Sequence, residues 1–227
     1  MVPPFDFYRI ALVDMFVGST EKSIVPNTLG DTAKLFGRTI VDSGTTLLIL
    51  ANEVPALKST IHLFIRLFIR SMQFIVDLRP IGLHQQVYAN MFVYFQLHFS
   101  HLPHISGSNT FFDPGRCFVV PDPSVYPTIY FRFRRSESSP NDVVDLALPP
   151  WSYLMNGTNA LGMPCRFLGI VPNEGDNSYV GTILGDVFMQ AFNIAFDRAN
   201  KKFGIAPILD CSSMITIHYP RARITRV

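Results

Sequence analysis

The sequence has few charged residues, and they are mixed in sign. Only 16% of its 227 residues are charged, and the formal net charge is +2. Nucleic-acid binding needs clustered lysine and arginine side chains, so we expect no nucleic-acid partner. An intrinsically disordered chain is excluded too, because 48% of the residues are hydrophobic and can form a sizeable core.

Long segments without turn-forming residues are scarce. Seventeen prolines and fourteen glycines interrupt the chain, and twenty phenylalanines stand among valine, isoleucine, threonine and tyrosine in the segments between them. Prolines and glycines favour turns, whereas aromatic and β-branched residues favour strands. The composition therefore predicts a mostly β fold.

The first residues lack the features of a signal peptide. Residues 1–4 read Met-Val-Pro-Pro, with no basic residue, apolar core or small-residue cleavage site after them. We therefore expect the start to be internal.

The most informative stretch is an apolar run that a short polar turn divides. Residues 39–50 read Thr-Ile-Val-Asp-Ser-Gly-Thr-Thr-Leu-Leu-Ile-Leu, which predicts a strand, a tight turn and a second strand. Glycine allows a close approach of the backbone, and hydroxyl groups can bond to a nearby carboxylate. Asp42 is therefore our candidate for chemistry. An isolated Asp-Ser-Gly is more often an Asx turn in an ordinary hairpin, so Asp42 needs further support.

Two further stretches supply that support. Residues 126–133 read Tyr-Pro-Thr-Ile-Tyr-Phe-Arg-Phe, and residues 181–188 read Gly-Thr-Ile-Leu-Gly-Asp-Val-Phe, followed by a predicted closing hairpin over 192–206. With the Asp-Ser-Gly-Thr-Thr turn, and in this order, they resemble the C-terminal lobe of pepsin-like aspartic proteases. The resemblance implies a single lobe of that β-barrel fold over residues 1–211, with a few short helices. Because the N-terminal lobe of the family would then be absent, we expect a fragment, a truncated gene model or a half-size protein. It also implies that the Ile-Leu-Gly of 183–185 packs beneath the turn.

The resemblance implies an aspartic-type endopeptidase. In that chemistry two facing carboxylates share one proton, and one activates a water while the other protonates the scissile carbonyl of a peptide or protein substrate. Asp42 would be one of the two carboxylates. Ser43 and Thr45 would supply supporting hydroxyl bonds, and Gly44 would allow the close approach of substrate. No cofactor is expected.

The sequence has no second Asp-Thr/Ser-Gly turn, because Asp31-Thr32 is followed by alanine and Asp113 by proline. We therefore expect half of a catalytic site, with an N-terminal lobe or a second copy of the chain supplying the other carboxylate. The isolated chain is then inactive. The alternative from another class is a non-catalytic half-lobe that acts as a binding or decoy module.

Cysteine is rare and odd in number, at three residues. The resemblance implies a disulfide between Cys117 and Cys165 within the lobe. It matches Cys211 to an additional cysteine that some family members carry after the last strand, whose partner lies elsewhere.

Asn156-Gly157-Thr158 is an N-glycosylation acceptor triplet in a predicted loop. It agrees with the location that the resemblance implies, which is the secretory route: secreted, vacuolar or lysosomal, or membrane-attached.

Residues 61–106 depart from the family pattern and are interpreted as an atypical insertion. Over 62–77, polar residues recur every three or four positions among apolar ones, which predicts a helix with a narrow polar stripe. A membrane-spanning helix would place Arg66 and Arg70 in its middle at about 2.5–3.5 kcal/mol each, so a buried or interfacial helix is favoured. Membrane contact stays open. Residues 212–227 are predicted to be a flexible basic tail.

Three histidines, His98, His101 and His104, recur at intervals of three. Imidazoles at short spacing can converge on a metal ion. The intervening Phe99 and Pro103 do not suit a regular helix, and no cysteine or carboxylate completes the set. We therefore expect no metal site.

Overall fold

The computed structural model describes residues 8–25, 39–51, 87–136, 139, 141–173, 181–197, 199–200 and 202–208, and the backbone of 222–225. Its strands are β1 (Tyr8–Val17), β2 (Thr39–Val41), β3 (Leu48–Leu50), β4 (Ile129–Arg134), β5 (Val143–Leu148), β6 (Leu154–Thr158), β7 (Pro164–Leu168), β8 (Ile170–Pro172), β9 (Thr182–Leu184), β10 (Phe192–Asp197), β11 (Lys202–Pro207) and β12 (Ala222–Thr225). Its helices are α1 (Val87–His98), α2 (Pro150–Tyr153) and α3 (Asp186–Met189), with a 3₁₀ turn at Pro123–Val125.

The strands form one large sheet and two small ones. The large sheet is a curled half-barrel of seven strands in the order β5-β4-β1-β2-β9-β3-β8. The small sheets are β10-β11-β12 and the hairpin β6-β7. The predicted fold, a mostly β lobe of the pepsin-like type with a few short helices, is confirmed.

β4 lies between β5 and β1 and buries one of its two faces. Ile129, Phe131 and Phe133 point into the core with essentially no exposed surface, and the residues between them are half-buried. This period of two is that of a strand with one face on the core. β1 and β5 flank β4 on either side in antiparallel register.

The turn after β2 is not a hairpin loop. β9 lies between β2 and β3, parallel to β2 and antiparallel to β3. The interpretation of Asp42 as part of an ordinary hairpin is therefore wrong, because its two flanking strands are not neighbours. This crossover places the end of β9 directly beside the Asp42 turn.

The inserted stretch includes a helix among its described residues. In α1 the side chains of Val87, Met91 and Phe95 are buried, and they recur every four residues, which places them on one face. The predicted helix over 62–77 lies outside the described residues. No helix of the described residues is long and apolar enough to cross a membrane.

The predicted basic tail contains a strand. Residues 222–225 form β12, which pairs antiparallel with β11. The backbone of this four-residue segment is therefore extended and paired, and the flexibility of the tail stays a prediction. Residues 212–221 and 226–227 lie outside the described residues, so the boundary at residue 211 stays a prediction.

Candidate functional site

The site begins where β2 ends. The backbone N–H of Asp42 donates to the carbonyl of Leu184 at 3.2 Å, so the carboxyl-bearing residue is attached to the end of β9. Val41 and Leu184 are paired across the two parallel strands and are both buried. Asp42 itself is half-buried. Its position is therefore fixed by two core strands, while part of its side chain remains accessible.

Both carboxylate oxygens of Asp42 accept a hydrogen bond from the turn. The N–H of Gly44 donates to Oδ1 at 3.0 Å, and the hydroxyl of Thr45 donates to Oδ2 at 2.7 Å. The N–H of Thr45 closes the turn on the Asp42 carbonyl at 3.3 Å. These bonds fix the rotation of the carboxylate about its own axis.

Ser43 and Gly44 lie on the exposed side of the turn. Of the two hydroxyls that we expected to support Asp42, the structure brings only that of Thr45 into contact with it. Within the described residues the hydroxyl of Ser43 makes no hydrogen bond to the carboxylate. Its expected supporting bond is therefore not formed in this structure.

Gly185 lies immediately against the turn from below. A Cβ atom added to it would lie 2.2 Å from the carbonyl oxygen of Thr45 and 2.4 Å from that of Leu47. No L side chain fits at such distances, so only glycine allows this approach. The expected packing of residues 183–185 beneath the turn is found in the structure.

The backbone of the turn also caps α3. The N–H of Asp186 donates to the Thr45 carbonyl at 2.8 Å, and the N–H of Val187 donates to the Thr46 carbonyl at 3.0 Å. Free N–H groups at a helix start need such partners. Thr46 was not among the predicted site residues. Thr46 accepts this hydrogen bond through its backbone carbonyl. Because every residue has a backbone carbonyl, the sequence does not indicate such a role.

Among the described residues, Asp42 has no carboxylate partner. Within them, no hydrogen bond joins Asp42 to another carboxylate, and no group of three or more histidine, cysteine, aspartate or glutamate residues is arranged to hold a metal ion. The three histidines are used in ring contacts. His104 stacks on Phe118 with centroids 4.1 Å apart, His98 lies 4.3 Å from Tyr94, and the ring of His101 lies 6.4 Å from Phe99.

A second half-buried carboxyl lies away from this turn. Asp14, at an irregularity in β1, accepts hydrogen bonds from the Met15 N–H at 2.8 Å and from the hydroxyl of Ser23. Burial raises the pKa of Asp14, and these two hydrogen bonds and the nearby Arg132 oppose that rise. Arg132 forms a two-point ion pair with Asp145 at 2.7 and 2.8 Å.

The predicted disulfide is present. Cys117 and Cys165 are bonded, with 5.5 Å between their Cα atoms, and the bond joins β7 to the segment before the 3₁₀ turn. Cys211 lies outside the described residues. Asn156 is exposed but lies in β6, so the predicted loop location is wrong. The run from residue 154 to 158 pairs with β7, which explains the extended backbone.

We compared the chain with protein families and with curated proteins, and part of it matches a family. Residues 119–208 match the family described as eukaryotic aspartyl protease. No curated protein matches the chain. The matched segment includes Gly185 and the start of α3, which contact the Asp42 turn. It runs from just after Cys117 to the end of the β10-β11 hairpin, and Asp42 lies outside it. Residues 119–208 of this chain are therefore similar to eukaryotic aspartyl proteases, which agrees with a lobe of the pepsin-like fold.

Proposed function

We propose that this chain supplies the C-terminal lobe of an aspartic endopeptidase and that Asp42 is one of its two catalytic carboxylates. The observation that carries the proposal is the Asp42 carboxylate itself. It is half-buried, accepts a hydrogen bond on each oxygen, and is held at a turn that Gly185 supports from below. A carboxylate fixed in this way is suited to hold a water molecule in one orientation.

Peptide hydrolysis then needs a second carboxylate within hydrogen-bonding distance of that water. Two such groups share one proton, because like charges in contact hold one pKa high and the other low. The ionised member takes a proton from the water, and the protonated member donates to the carbonyl oxygen of the scissile bond. The Thr45 hydroxyl stays on Oδ2 of Asp42 and keeps the other oxygen turned toward the water.

The partner that completes the site is an N-terminal lobe of the same type or a second copy of this chain. Either would bring its own carboxylate opposite Asp42, as the two-carboxylate mechanism requires. The substrate is an extended peptide or protein segment. The exposed backbone of Ser43 and Gly44 would form one wall of the substrate site.

The secretory route is the location that we propose for the protein. Eukaryotic pepsin-like proteases are generally proteins of that route, and a disulfide such as Cys117–Cys165 forms and persists in oxidising compartments. The bond links residues 48 apart, so it closes a large part of the lobe.

A reconstitution experiment tests the proposal. The purified chain is assayed at acid pH on an unstructured protein substrate, alone and after refolding with an N-terminal lobe of a pepsin-like protease. We expect cleavage only in the refolded mixture and full inhibition by a statine-type transition-state mimic. The absence of a second Asp-Thr/Ser-Gly turn favours the alternative of a non-catalytic binding module. A folded two-lobe complex that binds the inhibitor without cleaving substrate would support that alternative.

A further inference from the structure

We propose that Asn156 is an N-glycosylation site that carries an oligosaccharide. Asn156-Gly157-Thr158 is the only Asn-X-Ser/Thr triplet among the 227 residues. Such triplets often remain unmodified because they are buried or never reach the transferase. The argument therefore depends on how this triplet is presented.

The two reactive positions of the triplet face solvent. Asn156 and Thr158 are both exposed, and they are two residues apart in β6, so they lie on the same side of the strand. Within the described residues, neither side chain has a hydrogen-bond partner. Both are free to be bound in the site of a transferase.

The residue between them faces the opposite way and is closely packed. A Cβ atom added to Gly157 would lie 3.1 Å from the ring of Phe167 and 3.3 Å from the sulfur of Cys117. The disulfide and the Phe167 ring therefore lie on one side of the hairpin, and the acceptor amide lies on the other. A glycan on Asn156 can be accommodated without displacing either group.

The tip of the β6-β7 hairpin also exposes apolar side chains that a glycan on Asn156 would cover. The tip between β6 and β7 exposes Leu161 by 80% and Met163 by 44%. The Asn159 side chain holds the tip by accepting hydrogen bonds from the N–H groups of both residues, at 2.9 and 3.0 Å. Asn156 is two residues from the end of β6, about 7 Å along the strand from Thr158. A hydrated oligosaccharide there would shield apolar side chains that otherwise contact water.

The modification is a group transfer from a lipid-linked oligosaccharide pyrophosphate. A bond forms between Nδ2 of Asn156 and C1 of the first sugar, while the bond from C1 to the pyrophosphate oxygen breaks. The amide nitrogen loses one proton, and the lipid pyrophosphate leaves with the bonding electron pair. The hydroxyl of Thr158 binds to the transferase and takes no part in the covalent change.

The test uses the whole chain, secreted from a eukaryotic cell behind a cleavable leader. Peptide-N-glycosidase removes N-linked glycans and converts the modified asparagine to aspartate. We expect the enzyme to increase the gel mobility of the secreted chain and to leave aspartate at position 156 in the tryptic peptide. Asn156→Gln and Thr158→Ala should each abolish the shift. Thr158→Ser and Asn159→Gln should retain it.

The inference rests on the secretory route, which is part of the proposed function. Formation of the Cys117–Cys165 disulfide reports on that route separately from glycosylation, so the two proposals can fail independently. Secreted chain with the Cys117–Cys165 bond and an unmodified Asn156 would overturn the glycosylation proposal and leave the proposed function intact. A mobility shift that Thr158→Ala retains would also overturn it, because the sugar would then be attached elsewhere. A modified Asn156 in a chain that never forms an active complex would support it independently of catalysis.

Discussion

Gly185 and Thr45 are in backbone contact that leaves no room for a side chain. The Thr45 carbonyl oxygen lies 2.2 Å from the place that a Cβ of residue 185 would occupy. The same oxygen accepts the hydrogen bond from the Asp186 N–H. The turn that carries Asp42 and the start of α3 are therefore one rigid unit.

We expect Gly185→Ala to damage this unit. The two carbonyl oxygens above it belong to the backbone and cannot rotate away, so the turn must move. Overpacking of this kind typically costs about 1–3 kcal/mol of unfolding free energy, measured by urea denaturation. Gly204→Ala is the matched control, because its Cβ would lie 3.3 Å from the Ala195 methyl and 3.7 Å from the Ala195 carbonyl oxygen, with no atom closer. Equal losses in the two variants would contradict the close contact.

The Thr45 hydroxyl should matter for chemistry more than for stability. Thr45→Val keeps the shape of the side chain and removes the donor to Oδ2 of Asp42. A hydrogen bond to a charged group is worth about 1.5–3 kcal/mol, so kcat of the two-lobe complex should fall by about 10- to 160-fold. Thr45→Ser should retain most activity. Thr46→Val, at an exposed neighbouring position, should behave like the unmodified chain. An unchanged kcat in Thr45→Val would show that the Thr45 hydroxyl does not support Asp42 in catalysis.

Asp14 should make the lobe less stable as pH rises. Burial raises its pKa in the folded state above the ordinary value of 3.8, so the folded chain binds the proton more tightly than the unfolded chain. Stability from this group is present below the unfolded pKa and is lost as pH rises through the folded pKa.

Asp14→Asn tests this sign. The amide oxygen can still accept the hydrogen bonds from Met15 and Ser23 but carries no charge. The measured quantity is the melting temperature of Asp14→Asn minus that of the unmodified chain. This difference should be more positive at pH 7 than at pH 3. Asp122→Asn, at a fully exposed carboxyl whose pKa its hydrogen bonds to Ser124 lower, should show the opposite trend. A difference for Asp14→Asn that does not change with pH would contradict the account.

The strands were predictable from local pattern, but their order was not. The apolar β-branched runs on either side of Asp42 predict β2 and β3, and the alternation in residues 129–133 predicts β4. The insertion of β9 between β2 and β3 is a long-range pairing. No periodicity in either segment encodes it. The expected contact of Gly185 with the turn came from resemblance to a family.

The helix α1 shows where the local signal was too weak. Its buried positions, Val87, Met91 and Phe95, follow a helical spacing, but Val93 and Leu97 are also apolar and are exposed. A helix that is apolar on all sides has no stripe that a sequence pattern can recognise. At the site, Asp42 could be chosen as a candidate from residue type, whereas the hydroxyl bond of Thr45 was implied by the family resemblance, which implied the same for Ser43. The role of the Thr46 carbonyl was not predictable, because every residue has one.

The central claim is that Asp42 acts as a catalytic carboxylate. Asp42→Asn keeps the size of the side chain and an acceptor for the Gly44 N–H, and it removes the charge and the ability to take a proton. Asp113→Asn is the matched control, because Asp113 also precedes a glycine by two residues and accepts a hydrogen bond from a backbone N–H, that of Thr110.

The most direct measurement is the initial rate of peptide cleavage at acid pH by the two-lobe complex, with melting temperatures recorded for each variant. We expect Asp42→Asn to reduce the rate to background while the melting temperature changes little, and Asp113→Asn to retain the rate. Cleavage by the Asp42→Asn complex at the rate of the unmodified complex would show that Asp42 is only a turn residue.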